Sequence, residues 1–218
     1  MFKKLLDNTD SDSLANKFRR KRFRNFLEYT KDVPPPVTIL DVGGTFDFWK
    51  QMGIIDNSDY FITILNLTDL GPGSSKNLKF IAGNAADLSQ FKTASFGVVF
   101  SNSVIEHIPL KENRQKMADE IKRVGKKYFV QTPSFYFPFE PHFLFPCFQF
   151  MPKSVKMFFL LNFDMGWFKK CQNSAEAQRL LQENSLLKLK ELKNHFRGCR
   201  IIKEKYFFLT KSYIAVNS

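Results

Sequence analysis

Small and polar residues recur where apolar runs of the sequence end, and their types favour a binding site for a nucleoside. The run "TILDVGG" ends in Asp41, Gly43 and Gly44, and glycine there lets the backbone approach a ligand closely. The run "ITILNL" ends in Asn66, 23 residues after Gly43, the offset at which nucleoside-binding sheets hold ribose hydroxyls. Two further runs, "LKFIAGN" and "FGVVFSNSV", also end in small or polar residues. A lone glycine pair is equally typical of a tight turn, so only the ordered set indicates a site.

Five apolar segments separated by helical stretches indicate a parallel sheet that helices cover on both faces. "FDFWKQMG" predicts a short helix closed by Gly53, and "KENRQKMADEIKRVG" predicts an amphipathic helix that ends at Gly125. Ligands of such sheets bind beyond the carboxyl ends of the strands. We predict an α/β fold with a doubly wound, Rossmann-like sheet of seven strands, mostly parallel, with an antiparallel C-terminal hairpin strand.

Proline-rich stretches mark the predicted boundaries. "DVPPPV" separates a basic helical segment and linker, residues 1–36, from a domain over residues 37–218. After Pro133 the chain is dense in Phe and punctuated by proline, and we predict a lid or acceptor insertion at about 134–172. A helix follows across 175–196, and then two strands, around 201–208 and 213–216. The short connection between these strands requires antiparallel pairing.

Composition restricts the class of protein and its partners. The 218 residues, 44% hydrophobic and 25% charged, are typical of one soluble domain with a sizeable core. The formal net charge of +12 favours anionic partners, and much of it lies in "NKFRRKRFRNFLEYTK". No nucleic-acid module accompanies that helix, so nucleic acid is disfavoured as a partner. Peripheral contact with a membrane stays open as an alternative.

Cysteine usage and hydropathy indicate a cytoplasmic protein. Cys147, Cys171 and Cys199 are widely spaced and odd in number, which suggests neither a zinc or redox centre nor a disulfide framework. The start, "MFKKLLDNTDSDS", turns polar too early for a signal peptide. No apolar run reaches the ~20 residues of a membrane span.

The ordered motifs resemble those of the class I S-adenosylmethionine-dependent methyltransferases of the type 11 kind. "TILDVGGTFDFW" resembles the glycine motif, "AGNAADLSQF" the Gly-Asp-Ala motif, and "FGVVFSNSVIEHI" the motif that ends in Leu-Glu-His. The match runs over residues 37–133. It departs from the family pattern at Thr45, Asn66, Asn84 and Gly97, where the family usually has a glycine or an acid. The resemblance implies the class I fold, methyltransferase activity and S-adenosyl-L-methionine as cofactor.

Carried over position by position, the resemblance assigns nine residues to the cofactor. Asp41 would orient the glycine loop or meet the cofactor's ammonium group. Gly43 and Gly44 would lie against the methionine part, so Gly43→Val is expected to abolish cofactor binding and leave the fold largely intact. Asn66 would meet the ribose, more weakly than an acid, and Leu67 would pack beside the adenine, although a plain core position is favoured for Leu67. The full set is Asp41, Gly43, Gly44, Thr45, Asn66, Leu67, Asn84, Ala85 and Ser101.

A general base is needed only if the methyl acceptor carries a proton. His107, with Glu106 beside it, is the best candidate, and a polar cap on the next helix is an equally good interpretation. Tyr136 and His142 are further candidates, because this family usually builds its acceptor pocket after the fifth strand. Related metal-dependent enzymes carry a Glu three residues before the Glu-His pair. Here that position is Ser103, so we predict no metal ion.

Several functional hypotheses compete. The first is methyl transfer to an O or N atom of a small-molecule or lipid-like acceptor. The second is a catalytically weak module that binds cofactor or a partner and keeps the fold. The sequence lacks the Asn-Pro-Pro-Tyr motif expected of a nucleic-acid methyltransferase and the Tyr-x-x-x-Lys motif expected of a dehydrogenase, so both of these functions are disfavoured. The Phe-rich insertion predicts lid packing foremost, with an acceptor pocket or a membrane-contacting surface as alternatives. His195 is expected at the surface.

Overall fold

The computed structural model describes residues 13–68 and 75–217, and its first half alternates strands and helices. The elements up to the fifth strand are α1 (Leu14–Thr30), β1 (Val37–Val42), α2 (Phe46–Gln51), β2 (Tyr60–Asn66), β3 (Leu78–Ala82), β4 (Phe96–Asn102), a turn of 3-10 helix (Ile105–His107), α3 (Lys111–Val124) and β5 (Gly125–Pro133).

The second half contains the insertion, two helices and a terminal hairpin. Its elements are β6 (Phe139–Glu140), β7 (Phe145–Pro146), a second 3-10 turn (Phe148–Phe150), α4 (Lys153–Asn162), α5 (Ser174–Glu183), α6 (Leu189–His195), β8 (Arg200–Tyr206) and β9 (Leu209–Val216).

One seven-stranded sheet organises the molecule, in the order β3-β2-β1-β4-β5-β9-β8. Strands β1 to β5 pair in parallel, and β9 runs antiparallel to both β5 and β8. Asp41 of β1 lies level with Phe100 of β4, and Val42 lies level with Ser101. The carboxyl ends of the central strands therefore meet at one edge. This confirms the predicted Rossmann-like α/β fold with an antiparallel C-terminal strand.

Apolar side chains form a separate cluster on each face of the sheet. On one face, Met117 and Ile121 of α3 pack with Leu40 and Val99 of the central strands. On the other, α1 and α2 cover the alternate residues of the same strands. Because a parallel sheet buries both faces, these strands are apolar throughout, which is the pattern that the sequence shows.

Helix α1 belongs to the same core as the sheet. Phe23 and Phe26 are buried with Trp49, and the Phe26 ring centroid lies 5.1 Å from that of Phe100. Ser13 caps the helix, its Oγ accepting a hydrogen bond of 3.1 Å from the Asn16 amide. Of its basic residues, Lys17, Arg20, Lys21 and Arg24 are exposed, whereas Arg22 is buried. The division at residue 36 stays a prediction, and α1 packs as an integral layer.

The Phe-rich insertion builds a small core of its own. Phe143, Phe148, Leu160 and Met165 are buried together beneath α4 and α5. This supports the interpretation of the segment as lid packing. The sequence predicted irregular structure up to Pro152, which is confirmed apart from one two-residue hairpin and a 3-10 turn. It did not predict helix α4.

Two predictions in the C-terminal third are wrong. The single helix expected across 175–196 is two helices, α5 and α6, with an extended break between them that buries Leu187. In this break the Ser185 amide donates to the Glu106 carbonyl and the Phe135 amide donates to the Leu187 carbonyl. His195 is buried against α3, where its Nδ1 lies 2.8 Å from Oε1 of Gln115. Over the part of the chain that the structure describes, no helix has the length and apolar character needed to cross a bilayer.

Candidate active site

The glycine loop after β1 is shaped by the protein's own side chains. Gly43 has a φ of +78°, and a Cβ placed there would lie 2.5 Å from Cγ2 of Val104. A Cβ on Gly44 would overlap the Asp41 carboxylate at 1.6 Å. Both positions therefore require glycine before any ligand is considered. The expectation that Gly43→Val leaves the fold intact is wrong, because the larger side chain would collide with Val104.

Asp41 lies under this loop and is buried. Its Oδ2 accepts a hydrogen bond of 2.7 Å from Nε1 of Trp49, and within the described part of the chain its Oδ1 has no hydrogen-bond partner. Burial raises the pKa of the Asp41 carboxyl to about 7, against the opposing effect of the Trp49 hydrogen bond. The carboxylate lies directly against Gly44, and both roles predicted for Asp41, orienting the glycine loop and meeting the cofactor's ammonium group, stay predictions.

The two asparagines at the next strand ends brace their own loops. Asn66 Nδ2 donates to the Gly44 carbonyl at 3.2 Å, and its Oδ1 accepts from the Leu67 amide at 2.8 Å. Asn84 Oδ1 accepts from the Ala86 amide at 2.9 Å. Leu67 is 76% exposed, so the favoured interpretation of Leu67 as a core residue is wrong. An exposed leucine at this strand end is available to an adenine face.

Three other predicted cofactor residues lie in or beside the same edge. Thr45 is the N-cap of α2, where its Oγ1 accepts from the Phe48 amide at 3.4 Å. Ser101 is fully buried and its Oγ donates to the Val42 carbonyl at 3.2 Å. Ala85 is half-buried and packs against the core. Their contacts within the protein are structural, and their cofactor roles stay predictions.

A cavity of about 420 Å³ opens beyond the ends of β1, β4 and β5. Gly43, His107 and His142 lie in its walls, so the glycine loop and both candidate histidines face one space. Glu106 is fully buried directly behind this wall. Tyr136 is 57% exposed and lies outside the walls, so its placement gives no support to a catalytic role.

Four segments hold the candidate catalytic cluster, Glu106, His107, His142 and Glu140. His107 Nδ1 lies 3.0 Å from the Glu183 carbonyl at the end of α5, and His142 Nδ1 lies 2.7 Å from Oε1 of Glu140. Thr132 Oγ1 of β5 donates to Glu106 Oε2 at 2.9 Å. The rings of His107 and His142 meet edge to face, with centroids 4.8 Å apart.

Glu140 stabilises the turn that carries His142 by accepting hydrogen bonds from its backbone. Its Oε2 accepts the backbone amides of His142 at 2.8 Å and Phe143 at 2.6 Å. Burial alone would lower the pKa of His142, but the hydrogen bond and charge of Glu140, with the charge of Glu106, raise it. The sequence did not assign a role to Glu140, although its spacing of two residues before His142 is the signal.

Basic side chains from α1 and β9 form another wall of the cavity. Arg22 makes a buried ion pair with Glu204, 2.6 Å between Nη2 and Oε2, and also contacts Asn102. Among the described residues, neither Arg19 nor Lys211 forms an ion pair with a carboxylate. Burial and the charge of Arg22 lower the pKa of Arg19 to about 10, and burial and nearby arginines lower that of Lys211 to about 8. These residues were not predicted from the sequence, because the basic helical segment was expected to be separate from the domain and solvated.

The sequence and the fold were compared with known proteins. A family model described as "Methyltransferase domain" matches residues 45–128. Two uncharacterized proteins from strains of Mycobacterium tuberculosis are 38% identical over 53 residues, which is 24% of this chain and 18% of theirs. The matched segment is thus a small part of those relatives.

Solved structures of methyltransferases share the fold at low sequence identity. A SAM-dependent methyltransferase from Aquifex aeolicus is 12% identical, with a TM-score of 0.52 over 100% of this chain and 97% of that chain. The trans-methyltransferase CalH, solved with SAH, is 13% identical with a TM-score of 0.57, over 99% and 61% of the two chains. The CurJ carbon methyltransferase is 11% identical with a TM-score of 0.59, over 98% and 56%.

Family match and architecture agree. Residues 45–128 run from the N-cap of α2 into β5 and include β2, β3, β4 and α3. The remaining strands complete the sheet order seen above. Residues 45–128 therefore match a methyltransferase domain, and the chain as a whole shares the Rossmann-like fold of solved methyltransferases.

Proposed function

We propose that this protein transfers a methyl group from S-adenosylmethionine to an O or N atom of a small-molecule or lipid-like acceptor. The observation that carries the proposal is that Gly43, His107 and His142 line one cavity. The residue assigned to the cofactor's methionine part thereby faces the residues able to accept a proton. A volume of about 420 Å³ is within the range of sites for small ligands.

The residues present fit the cofactor at its methionine end. Asp41 has a buried carboxylate oxygen to which no described residue donates a hydrogen bond, and Gly43 lies in the cavity wall. Asn66 and the exposed Leu67 would hold the ribose and adenine. When bound, S-adenosylmethionine supplies an activated methyl group on a sulfonium. The chain mainly has to orient the acceptor in line with that group, and orientation can supply ~7–11 kcal/mol of the barrier.

His107 is the group proposed to take the acceptor's proton. A carbonyl oxygen can only accept, so Nδ1 of His107 must donate to Glu183, which leaves a lone pair on Nε2. His107 is exposed to the cavity, whereas Glu106 is sealed behind it. We expect His107→Gln to reduce turnover by about 10²–10⁴ while its calorimetric affinity for S-adenosylhomocysteine is unchanged. Normal turnover by this variant at neutral pH would exclude His107 as the base.

The cavity walls favour an acceptor with an apolar body and an anionic group. Phe137, Phe139 and Trp167 supply aromatic surface, and Arg19 and Lys211 supply positive charge. We expect Arg19→Gln to raise KM for the acceptor about tenfold or more, as loss of a charged hydrogen bond implies. Arg20→Gln is the matched control, because Arg20 is adjacent in α1 but exposed outside the cavity.

The cofactor's own carboxylate is the competing anion for Arg19. Calorimetry with S-adenosylhomocysteine, which carries that carboxylate, and with methylthioadenosine, which lacks it, separates the two assignments. For an acceptor-binding role, Arg19→Gln leaves both affinities unchanged. Weakened binding of S-adenosylhomocysteine alone would assign Arg19 to the cofactor instead.

The acceptor itself is to be identified by product analysis. Purified protein and cofactor with a labelled methyl group are added to a cell extract, and mass spectrometry then finds the metabolites that gain the label. Wild-type protein is compared with His107→Gln. A labelled product that forms equally with both proteins would not depend on this site.

A second candidate is a module that binds cofactor weakly and acts through a partner. Its specific support is that the loop is already filled from within, with Val104 against Gly43 and Asn66 bonded to backbone. Calorimetry with S-adenosylmethionine discriminates the two functions. Absence of binding at near-millimolar cofactor would favour the module over the enzyme.

A further inference from the structure

Glu106, His107 and His142 bring one carboxylate and two imidazole rings together at the wall of the cavity. Each offers one ligand atom, and these atoms all lie within 4.8 Å of one another. They come from two segments, the 3-10 turn after β4 and the β6–β7 turn of the insertion. Because His142 is distant from the other two in sequence, their spacing along the chain could not indicate the cluster.

The hydrogen bonds of the two imidazoles fix which nitrogen carries the lone pair. Nδ1 of His107 faces a carbonyl oxygen and Nδ1 of His142 faces a carboxylate oxygen, so each Nδ1 must donate its proton. Each Nε2 is then unprotonated in the neutral ring. Backbone carbonyls and carboxylates are the groups that orient metal-binding histidines through their second nitrogen.

The Glu106 carboxylate also has one atom bonded within the protein and one atom left over. Thr132 donates to Oε2 of Glu106, and the other oxygen, Oε1, is fully buried and has no hydrogen-bond partner among residues 13–68 and 75–217. A buried carboxylate oxygen without a donor is unfavourable unless a positive charge is beside it. No lysine or arginine forms an ion pair with Glu106 among the described residues. This oxygen is therefore open to a positively charged partner.

We infer that Glu106, His107 and His142 form a binding site for a divalent first-row transition-metal ion, of the Zn²⁺, Mn²⁺ or Fe²⁺ class, in the wall of the acceptor cavity. Two imidazoles and one carboxylate are the ligands that such ions take in catalytic sites. Bond lengths of about 2.0–2.2 Å place ligand atoms about 3–3.5 Å apart, so small side-chain rotations close the present spacing. This inference replaces the expectation of no metal that the sequence supported.

A metal ion at this position would be able to contact an acceptor in the cavity. Three protein ligands leave coordination positions open, and His107 and His142 both line the cavity. An ion there would lower the pKa of an acceptor hydroxyl, whose proton would then pass to solvent. With the ion bound, Nε2 of His107 would coordinate it and would not itself take the proton, as it does in the metal-free mechanism proposed above. This catalytic role rests on the proposed function, whereas binding of the metal does not.

The test is metal binding by the full, tag-free protein in the absence of cofactor. Chelator-stripped protein is titrated with Zn²⁺ by calorimetry and with Co²⁺ by absorption spectroscopy. We expect one ion per chain, with a Co²⁺ spectrum of nitrogen and oxygen ligands and no thiolate charge-transfer band. No binding to the wild type, or a thiolate band from one of the three cysteines, would overturn the inference.

Variants assign the ligands. We expect His107→Gln and His142→Gln each to lower the affinity by about 100-fold or more, and Glu140→Gln, which orients His142, by about 10–100-fold. His195→Gln is the control, because His195 is the remaining histidine of the chain and lies away from the cavity. Equal affinity of wild type and His142→Gln would overturn the inference. His142 is partly exposed, so its replacement is compatible with folding, which circular dichroism verifies.

The competing source of positive charge is a proton. The raised pKa of His142 would let a protonated imidazole satisfy Glu106, and such a pair would not take up metal. Intact metal binding without any methyl transfer would contradict the proposed function alone. Methyl transfer by stripped protein that binds no metal would contradict only the present inference.

Discussion

Gly43 and Gly53 both have a positive φ angle but differ in the atoms around them. Alanine substitutions at the two positions therefore separate the cost of backbone strain from the cost of overpacking. Their φ angles are +78° and +75°. A Cβ on Gly43 would meet Val104 at 2.5 Å, whereas a Cβ on Gly53 would meet nothing within 4 Å. The loop that was predicted to make room for a cofactor thus makes room first for a valine of the protein itself.

Gly53→Ala is expected to lower the free energy of unfolding by about 1–2 kcal/mol, the cost of a left-handed residue with a side chain. Gly43→Ala should lower it by a further 1–3 kcal/mol or so because of overpacking against Val104. Urea denaturation measures both values. The double variant Gly43→Ala/Val104→Ala should recover part of the loss, and equal effects of the two single alanine variants would contradict the assigned contact.

The buried Asp41 makes a prediction about pH. Its carboxyl titrates near 7 in the folded protein and near ~3.9 when unfolded, so between these values the folded state binds more protons. Wild-type stability, relative to that of Asp41→Asn, should therefore be highest below pH ~4 and fall as the pH rises through 7. The full shift corresponds to at most ~4 kcal/mol. Thermal melts of both proteins from pH 5 to 8.5 provide the measurement, and parallel curves would refute the assignment.

At the scale of elements, the Arg22–Glu204 pair joins helix α1 to strand β8. Both side chains are nearly fully buried, and Glu204 also accepts from Ser212. Burial would raise the pKa of Glu204, but Arg22, Ser212 and Lys211 together lower it. A carboxyl with a lowered pKa contributes stability above its unfolded pKa, and that contribution is lost as the pH falls through the folded value.

Breaking this pair should destabilise the attachment of α1. We expect Glu204→Gln to cost about 3–5 kcal/mol, because it leaves Arg22 buried without its counter-charge. The double variant Arg22→Met/Glu204→Leu should cost much less. Glu28→Gln is the matched control: its ion pair with Lys31, the C-cap residue of α1, is exposed, so the change should stay within about 0.5 kcal/mol. Guanidinium denaturation at pH 7 compares the four proteins.

At the scale of the whole molecule, the charge surplus and the exposed aromatics lie on connected elements. Arg20, Lys21 and Arg24 are exposed on α1, and Phe207 and Phe208, at the tip of the β8–β9 hairpin, are 81% and 85% exposed. The Phe18 ring of α1 contacts Tyr206 at 5.9 Å, which fixes the helix beside the hairpin. A basic face next to projecting aromatics is the composition of an interfacial membrane anchor.

We expect the protein to cosediment with vesicles that contain anionic lipid, and not with neutral ones, in a manner that salt weakens. Phe207→Ser/Phe208→Ser should reduce binding without changing thermal stability, because both side chains are exposed. Phe158→Ser, at an exposed position of α4 away from the hairpin, is the control. Failure to bind anionic vesicles at low ionic strength would rule out a peripheral membrane contact.

Local patterns were sufficient for most elements. Strands β1 to β5 and helix α3 were predicted close to their observed bounds, because a buried strand is apolar throughout and a surface helix repeats every 3.6 residues. The prediction failed for Leu67 and His195, whose burial depends on what packs against them. It failed also at Leu187, where an extended break interrupts a stretch with helical propensity to cover the sheet.

The residues of the candidate site likewise divide into those that the sequence predicts and those that it does not. Its cofactor half follows from residues at consecutive strand ends, because parallel strands bring their carboxyl ends to one edge whatever the details of packing. Its acceptor half joins residues that are far apart in sequence, such as Glu106 with His142 and Arg22 with Glu204. No local rule relates such pairs.

The sequence by itself determined the sheet, its direction and the edge at which a ligand is expected, since these depend on short-range periodicity and on the chirality of strand crossovers. Only the tertiary structure decided that α1 closes the cavity with its arginines and that His142 of the insertion faces the Glu106–His107 pair. It also decided that Val104 occupies the space beside Gly43. Those contacts arise from packing between distant segments, where the free energy of burial, rather than local conformational preference, selects the arrangement.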